Sequence, residues 1–213
     1  YNFHESWAKD SVSKYINPND KVLIIPFSFY DVISSDEDWQ ALHNKTNGKD
    51  YKSIVTPFLS FGIKEENIDW INYFKDTKEE AKAKIKNTNI IFFTGGLPDK
   101  MFVRLMEFDL INDLENFNGV IIGSSAGAVI QLLEYHLTPD GDYSTFSYYP
   151  GLNMIKDFAI EVHYEGTDIQ KESIKKVLNE KKDTLYAITD NGGLIVDNKT
   201  LTLLGETQTF TIK

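Results

Sequence analysis

Gly123, Ser125 and Gly127 follow the apolar run Val120 to Ile122 and lead into Ala126, Ala128 and Val129. A serine between glycines at this spacing, at the exit of a buried strand into a helix, fits a nucleophile elbow. The sharp turn lifts the hydroxyl clear of the backbone, and every neighbour must be small to allow it. Ser124, Ala126, Gly127 and Ala128 meet that demand. The start of a helix beyond the serine favours negative charge, and the backbone N–H of Ala126 is a candidate oxyanion donor. The competing reading is a glycine-rich turn that only packs tightly or cradles an anion.

Thr94, Gly95 and Gly96 follow a second apolar run, Ile90 to Phe93. They would place a bare backbone turn at the same carboxyl edge of the sheet, with Gly96 as second oxyanion donor and Gly95 against the substrate. A plain tight turn fits this segment equally well.

A serine nucleophile needs a base, and the chain has four histidines: His4, His43, His136 and His163. His163 closes the apolar run Phe158 to Val162, consistent with the end of a strand. His4 and His43 read as solvated surface, and His136 as a partner for a loop. For the carboxylate that orients the imidazole, Asp140, Asp142, Glu161, Glu165 and Asp190 all compete. Asp190 ends the run Leu185 to Thr189 and is preferred; Asp140, on the loop after the nucleophile helix, is the alternative.

These residues need a scaffold, and the pattern supplies one. Short runs rich in Ile, Val and Phe (Val22 to Pro26, Ile68 to Asn72, Ile90 to Thr94, Val120 to Gly123) alternate with amphipathic stretches over Tyr51 to Phe61, Thr77 to Ile85 and Asp99 to Phe117. That alternation predicts an α/β fold with a mostly parallel sheet. Leu185 to Thr189, Gly193 to Asp197, Leu201 to Leu204 and Gln208 to Ile212 predict antiparallel strands. They would be joined by turns at Asn191 to Gly193 and Asp197 to Lys199. Leu137 to Pro150 reads as a long loop.

At 213 residues, with 41% hydrophobic and 25% charged residues, a single domain over 1–213 is expected. A net charge of −10 excludes a sequence-independent grip on nucleic acid. Cysteine is absent, which excludes disulfides and thiolate chemistry. No run approaches the roughly 18 apolar residues of a membrane span, and no leader pattern opens the chain, so a cytoplasmic protein is expected. No cofactor or metal is called for, and a monomer or homodimer is expected.

Taken in order, three blocks resemble the peptidase S51 family, which includes aspartyl dipeptidase (peptidase E) and cyanophycinase. They are the elbow at Ser125, the glycine loop Thr94 to Gly96, and Gly151 to Tyr164 with its apolar run ending in His163. The resemblance implies a three-layer α/β sandwich of the class I glutamine amidotransferase type, with serine where those enzymes carry cysteine. It implies a serine peptidase acting on small peptides, dipeptides with N-terminal aspartate among them, through serine, histidine and a downstream acid. Asp190 stands where the family commonly has glutamate, and Asp140 matches an aspartate fifteen positions after the nucleophile. The family's arginine after the histidine has no counterpart here. Gln170 and Lys171 occupy that stretch, which leaves Lys171 as a candidate substrate-binding cation, with Asp140 a further candidate substrate-binding residue. The alternative is a non-catalytic, amidotransferase-like ligand-binding domain. An α/β-hydrolase esterase fits less well, because no histidine follows His163.

Overall fold

The computed structural model of the chain describes residues 1–198 and 200–212. The fold is α/β, a parallel four-stranded sheet plus antiparallel strands, as the sequence pattern predicts. The chain forms two compact units: Tyr1–Glu5 with Lys9–Ala128, and Ser6–Ala8 with Val129–Lys213.

The first unit carries the parallel sheet in the order β2-β1-β3-β4: β1 (Val22–Ile25), β2 (Ile68–Trp70), β3 (Ile90–Phe93) and β4 (Val120–Gly123). The two central strands read VLII and IIFF and are buried at every residue, because in such a sheet both faces are covered. On one face Val22, Ile24, Ile90 and Phe92 pack with Ile54 and Phe58 of α3 (Tyr51–Ser60). On the other face Leu23, Ile25, Ile91 and Phe93 are equally inaccessible.

The remaining helices of this unit are α1 (Lys9–Val12), α2 (Asp36–His43), α4 (Lys78–Lys86), α5 (Pro98–Glu107) and α6 (Ile111–Glu115). Thr77 starts α4 with a reciprocal capping box to Glu80. The predicted helix over Asp99 to Phe117 is two helices, broken where Asp109 takes φ 55°. Ile25, Phe93 and Gly123 lie in register across β1, β3 and β4. The loops that follow these three strands therefore leave the sheet at one edge. A one-turn helix, α7 (Ala126–Val129), follows β4.

The second unit holds β5 (Glu134–Leu137) paired antiparallel with β6 (Ser147–Pro150), and a sheet of β7 (Ala159–Glu161), β8 (Thr184–Asp197) and β9 (Thr200–Thr211). The helix α8 (Asp168–Glu180) starts at Thr167 with a capping box to Gln170. Ile174 and Val177 of α8 pack on Ala159, Leu185 and Ala187 of the sheet.

Two readings of the sequence are corrected here. The loop expected over Leu137 to Pro150 contains β6. The four short strands expected near the end are two long ones, and Asn191 to Gly193 is not a hairpin turn but an irregularity within β8. Ile188 pairs with Thr207 and Gly192 with Gly205, so Thr189, Asp190 and Asn191 stand opposite Glu206 alone. The Asn-Gly-Gly signal marks a bulge, which needs small residues as a turn does. Asn198, at φ 54°, lies in the other predicted turn, whose Lys199 falls outside the described residues.

Candidate active site

Ser125 has φ 53°, the left-handed region that a non-glycine residue rarely adopts. Such strain persists only where the surroundings impose it, and a nucleophile elbow is one such place. Gly127 shows what imposes it: a Cβ there would collide with the Phe93 carbonyl at the end of β3. The turn can press this close to the neighbouring strand only with glycine at 127. Ser124 N–H donates to the same Phe93 carbonyl at 3.3 Å, tying the elbow to β3. Ala126 follows, buried, at the head of α7. Since α7 is a single turn, any aid to an oxyanion here comes from the local N–H groups rather than from a long helix dipole.

The glycine loop lies beside the elbow. A Cβ on Gly95 would stand 3.3 Å from Ser125 Cβ and 3.5 Å from the Ser124 carbonyl. Gly95 N–H donates to the Tyr1 hydroxyl at 3.0 Å. Burial raises the Tyr1 phenol above its ordinary pKa, so it stays neutral. Gly96 has φ 134°, and a Cβ there would strike the Ser28 carbonyl, so both its conformation and its space require glycine.

The only arginine, Arg104, is buried. Its Nη1 donates to the carbonyls of Phe27 (2.7 Å) and Phe29 (2.6 Å), its Nη2 lies 3.3 Å from Asp31, and its guanidinium stacks 3.6 Å over the Phe29 ring. It is committed to holding the loop after β1.

In the second unit, His163 Nδ1 lies 2.7 Å from Asp190 Oδ1. The pairing follows from topology. β7 runs parallel to β8 with Glu161 opposite Ala187, and Tyr164 N–H donates to the Ile188 carbonyl at 2.9 Å, so His163 sits where the bulge of β8 begins. The bulge takes Asp190 out of the ladder and turns its side chain to the imidazole. His163 itself adopts φ 50°. Gln170 holds the segment that follows: its Nε2 donates to the His163 carbonyl at 2.9 Å, while its Oε1 accepts from the N–H groups of Glu165 and Gly166. Asp140 Oδ1 accepts from the N–H groups of Asp142 and Tyr143, both at 2.8 Å, and so shapes its own turn. Lys171, exposed, pairs with Asp168 at 3.8 Å.

His43 departs from the sequence reading. His43 is buried, 7% exposed, between Trp39 (ring centroids 4.8 Å apart) and Trp70 (5.3 Å), and is not a surface residue. Its burial pushes its pKa down to about 4. His136 lies on β5, where Nε2 is 2.7 Å from Glu161 Oε2; Thr138 donates to the same oxygen at 2.8 Å. Glu161 is thus spoken for as a buried partner of β5. Sequence reasoning passed over Ser28 and Tyr1 altogether. Neither belongs to a motif, and only the fold brings each to the glycine loop from 67 and 94 positions away. Among the described residues, no helix is long and apolar enough to cross a membrane.

The model of peptidase family S51 matches residues 47–204. Among solved structures, the chain is similar to a peptidase E candidate protein from Listeria monocytogenes EGD-e, with TM-score 0.61 and 20% identity over 95% of this chain and 92% of that one. It is also similar to a peptidase from an acI-B1 Actinobacterium, with TM-score 0.54 and 18% identity over 90% and 82%. At these identities the likeness speaks for the fold. No curated protein matches.

Proposed function

Given that this chain belongs to peptidase family S51 and is a peptidase, we propose that it is a serine peptidase of small peptides, with Ser125 as nucleophile. His163 is its base and Asp190 the carboxylate that orients the base. The observation that carries this reading is the left-handed backbone of Ser125 against the glycine loop, since strain of that kind at a serine between glycines serves nucleophilic attack.

The step is acyl transfer. Ser125 Oγ attacks the scissile carbonyl carbon as its proton passes to His163 Nε2, and the carbonyl oxygen becomes the oxyanion. When that oxyanion collapses, the C–N bond breaks and His163 returns the proton to the leaving amine. Water then repeats the sequence on the acyl-enzyme, releasing the acid and restoring Ser125. With Nδ1–H directed to Asp190, Nε2 is the basic nitrogen, which is the tautomer the step needs. The backbone N–H groups of Gly96 and Ala126 receive the oxyanion, each worth on the order of 3 kcal/mol of barrier. Gly95 N–H, already donating to Tyr1, serves the loop's shape instead.

Preference for N-terminal aspartate requires a cation, and Arg104 is committed to the carbonyls of Phe27 and Phe29. Lys171 is the cation we assign to it. Hydrolysis of Asp-Leu, Glu-Leu and Ala-Leu by the wild type and by Ser125→Ala tests both parts. The reading expects turnover lost in Ser125→Ala, and Asp-Leu favoured until Lys171→Met levels the series. Turnover by Ser125→Ala at the wild-type rate would overturn the nucleophile, and an Asp-Leu preference surviving Lys171→Met would overturn the cation.

A further inference from the structure

Ser28 lies in the loop after β1, 1% exposed. It grips the glycine loop at several points. Its hydroxyl is 2.5 Å from the Gly95 carbonyl, 3.2 Å from the Thr94 carbonyl and 3.0 Å from Thr94 Oγ1. Its own carbonyl accepts the Leu97 N–H at 2.7 Å. A hydroxyl has one proton. With that proton on the nearest acceptor, the Gly95 carbonyl, Ser28 Oγ is left to accept from the Thr94 hydroxyl.

The Gly95 carbonyl and the Gly96 N–H belong to one trans peptide group, in which the two dipoles point in opposite directions. Fixing the carbonyl on Ser28 therefore fixes the Gly96 N–H away from Ser28. This peptide is otherwise the easiest in the loop to turn over. Its flip requires rotation about ψ of residue 95 and φ of residue 96, and both residues are glycine, which permits either sense of φ. Arg104 holds the carbonyls on either side of Ser28, at Phe27 and Phe29, so the serine itself is firmly placed.

We infer that Ser28 is a positioning residue for the oxyanion site: it latches the Gly95–Gly96 peptide so that the Gly96 N–H points to where the oxyanion forms beside Ser125. This rests on the serine-peptidase reading above. No motif carries it, and it assigns a catalytic consequence to a buried hydroxyl 97 positions before the nucleophile.

The test is the rate of covalent labelling by a fluorophosphonate, whose phosphoryl oxygen takes the oxyanion's place, on the full chain, with intact mass as readout. Wild type should label at Ser125. Ser28→Ala should label to full amplitude with a rate constant lower on the order of 10- to 100-fold, less than outright removal of one oxyanion donor because Gly96 keeps its N–H. On the dipeptide turned over, kcat should fall while KM holds. The pH dependence of labelling should not move, because His163 is untouched. A merely structural role would instead reduce the amplitude and leave the remaining molecules labelling at the wild-type rate; that result, or a rate constant within twofold of wild type, overturns the inference. Should Ser28→Ala not fold, Ser28→Cys, close in size and a weak donor, is read by the same criteria. Absence of label on wild-type Ser125 would instead refute the serine-peptidase reading, and the Ser28 inference with it.

Discussion

The buried His43 makes a quantitative demand on the acid stability of this chain. An unburied histidine has a pKa near 6.5, and burial pushes that of His43 down to about 4. Below pH 6.5 the unfolded chain takes up a proton at His43 that the folded chain refuses. Its contribution to stability is therefore unchanged above pH 6.5, is lost progressively as pH falls toward 4, and changes no further below that. At about 1.4 kcal/mol per pH unit, the loss reaches about 2 kcal/mol at pH 5 and about 3 kcal/mol at pH 4. His43→Phe keeps an aromatic ring between Trp39 and Trp70 and removes the titration.

The assay is denaturant unfolding at pH 7.5 and pH 5, followed by tryptophan fluorescence, which two of the three tryptophans report from beside residue 43. All other titrating groups are common to both proteins and cancel in the difference. Wild type should lose about 2 kcal/mol more than His43→Phe between the two pH values. Equal losses would show instead that His43 accepts its proton within the fold. The experiment also matters for function, because a loss of activity in acid reports on the site only where His43 has not already unfolded the protein.

Two further predictions concern the site and its support. Asp190→Asn should lower kcat/KM on the order of 100-fold, short of the roughly 10⁴-fold seen for a buried triad aspartate because this pair is exposed to water. Asp140→Asn, whose amide oxygen keeps both turn hydrogen bonds, should stay within about threefold; steady-state kinetics on the dipeptides decides, and the reverse ranking would transfer the orienting role to Asp140. Arg104→Lys should cost about 2–3 kcal/mol of stability in denaturant unfolding, since an ammonium cannot bridge the Phe27 and Phe29 carbonyls while stacking on the Phe29 ring. An unchanged midpoint would show that the guanidinium geometry is dispensable.

The parallel sheet was readable because its strands are continuous apolar runs set off by amphipathic stretches, and β1 and β3 are buried at each of those positions. Ser125 and Gly127 were readable because a strained turn leaves a local signature, glycines at fixed offsets from a serine. Signals that are local but shared by two structures misled: Asn191, Gly192 and Gly193 suit a turn and a bulge alike, and register across β9 chooses the bulge. His43 shows the same limit, since a histidine among polar neighbours in sequence is buried by aromatic residues from another element, Trp70 on β2. Ser28, Tyr1 and the His136–Glu161 pair left no trace in sequence because their partners are assembled across long separations by the fold alone.

Ser125 as nucleophile is tested by the site of covalent modification with a fluorophosphonate, mapped by peptide mass. A single adduct on Ser125 is expected, abolished in a folded Ser125→Ala variant together with peptide hydrolysis. An adduct elsewhere, or hydrolysis undiminished in that variant, would contradict it.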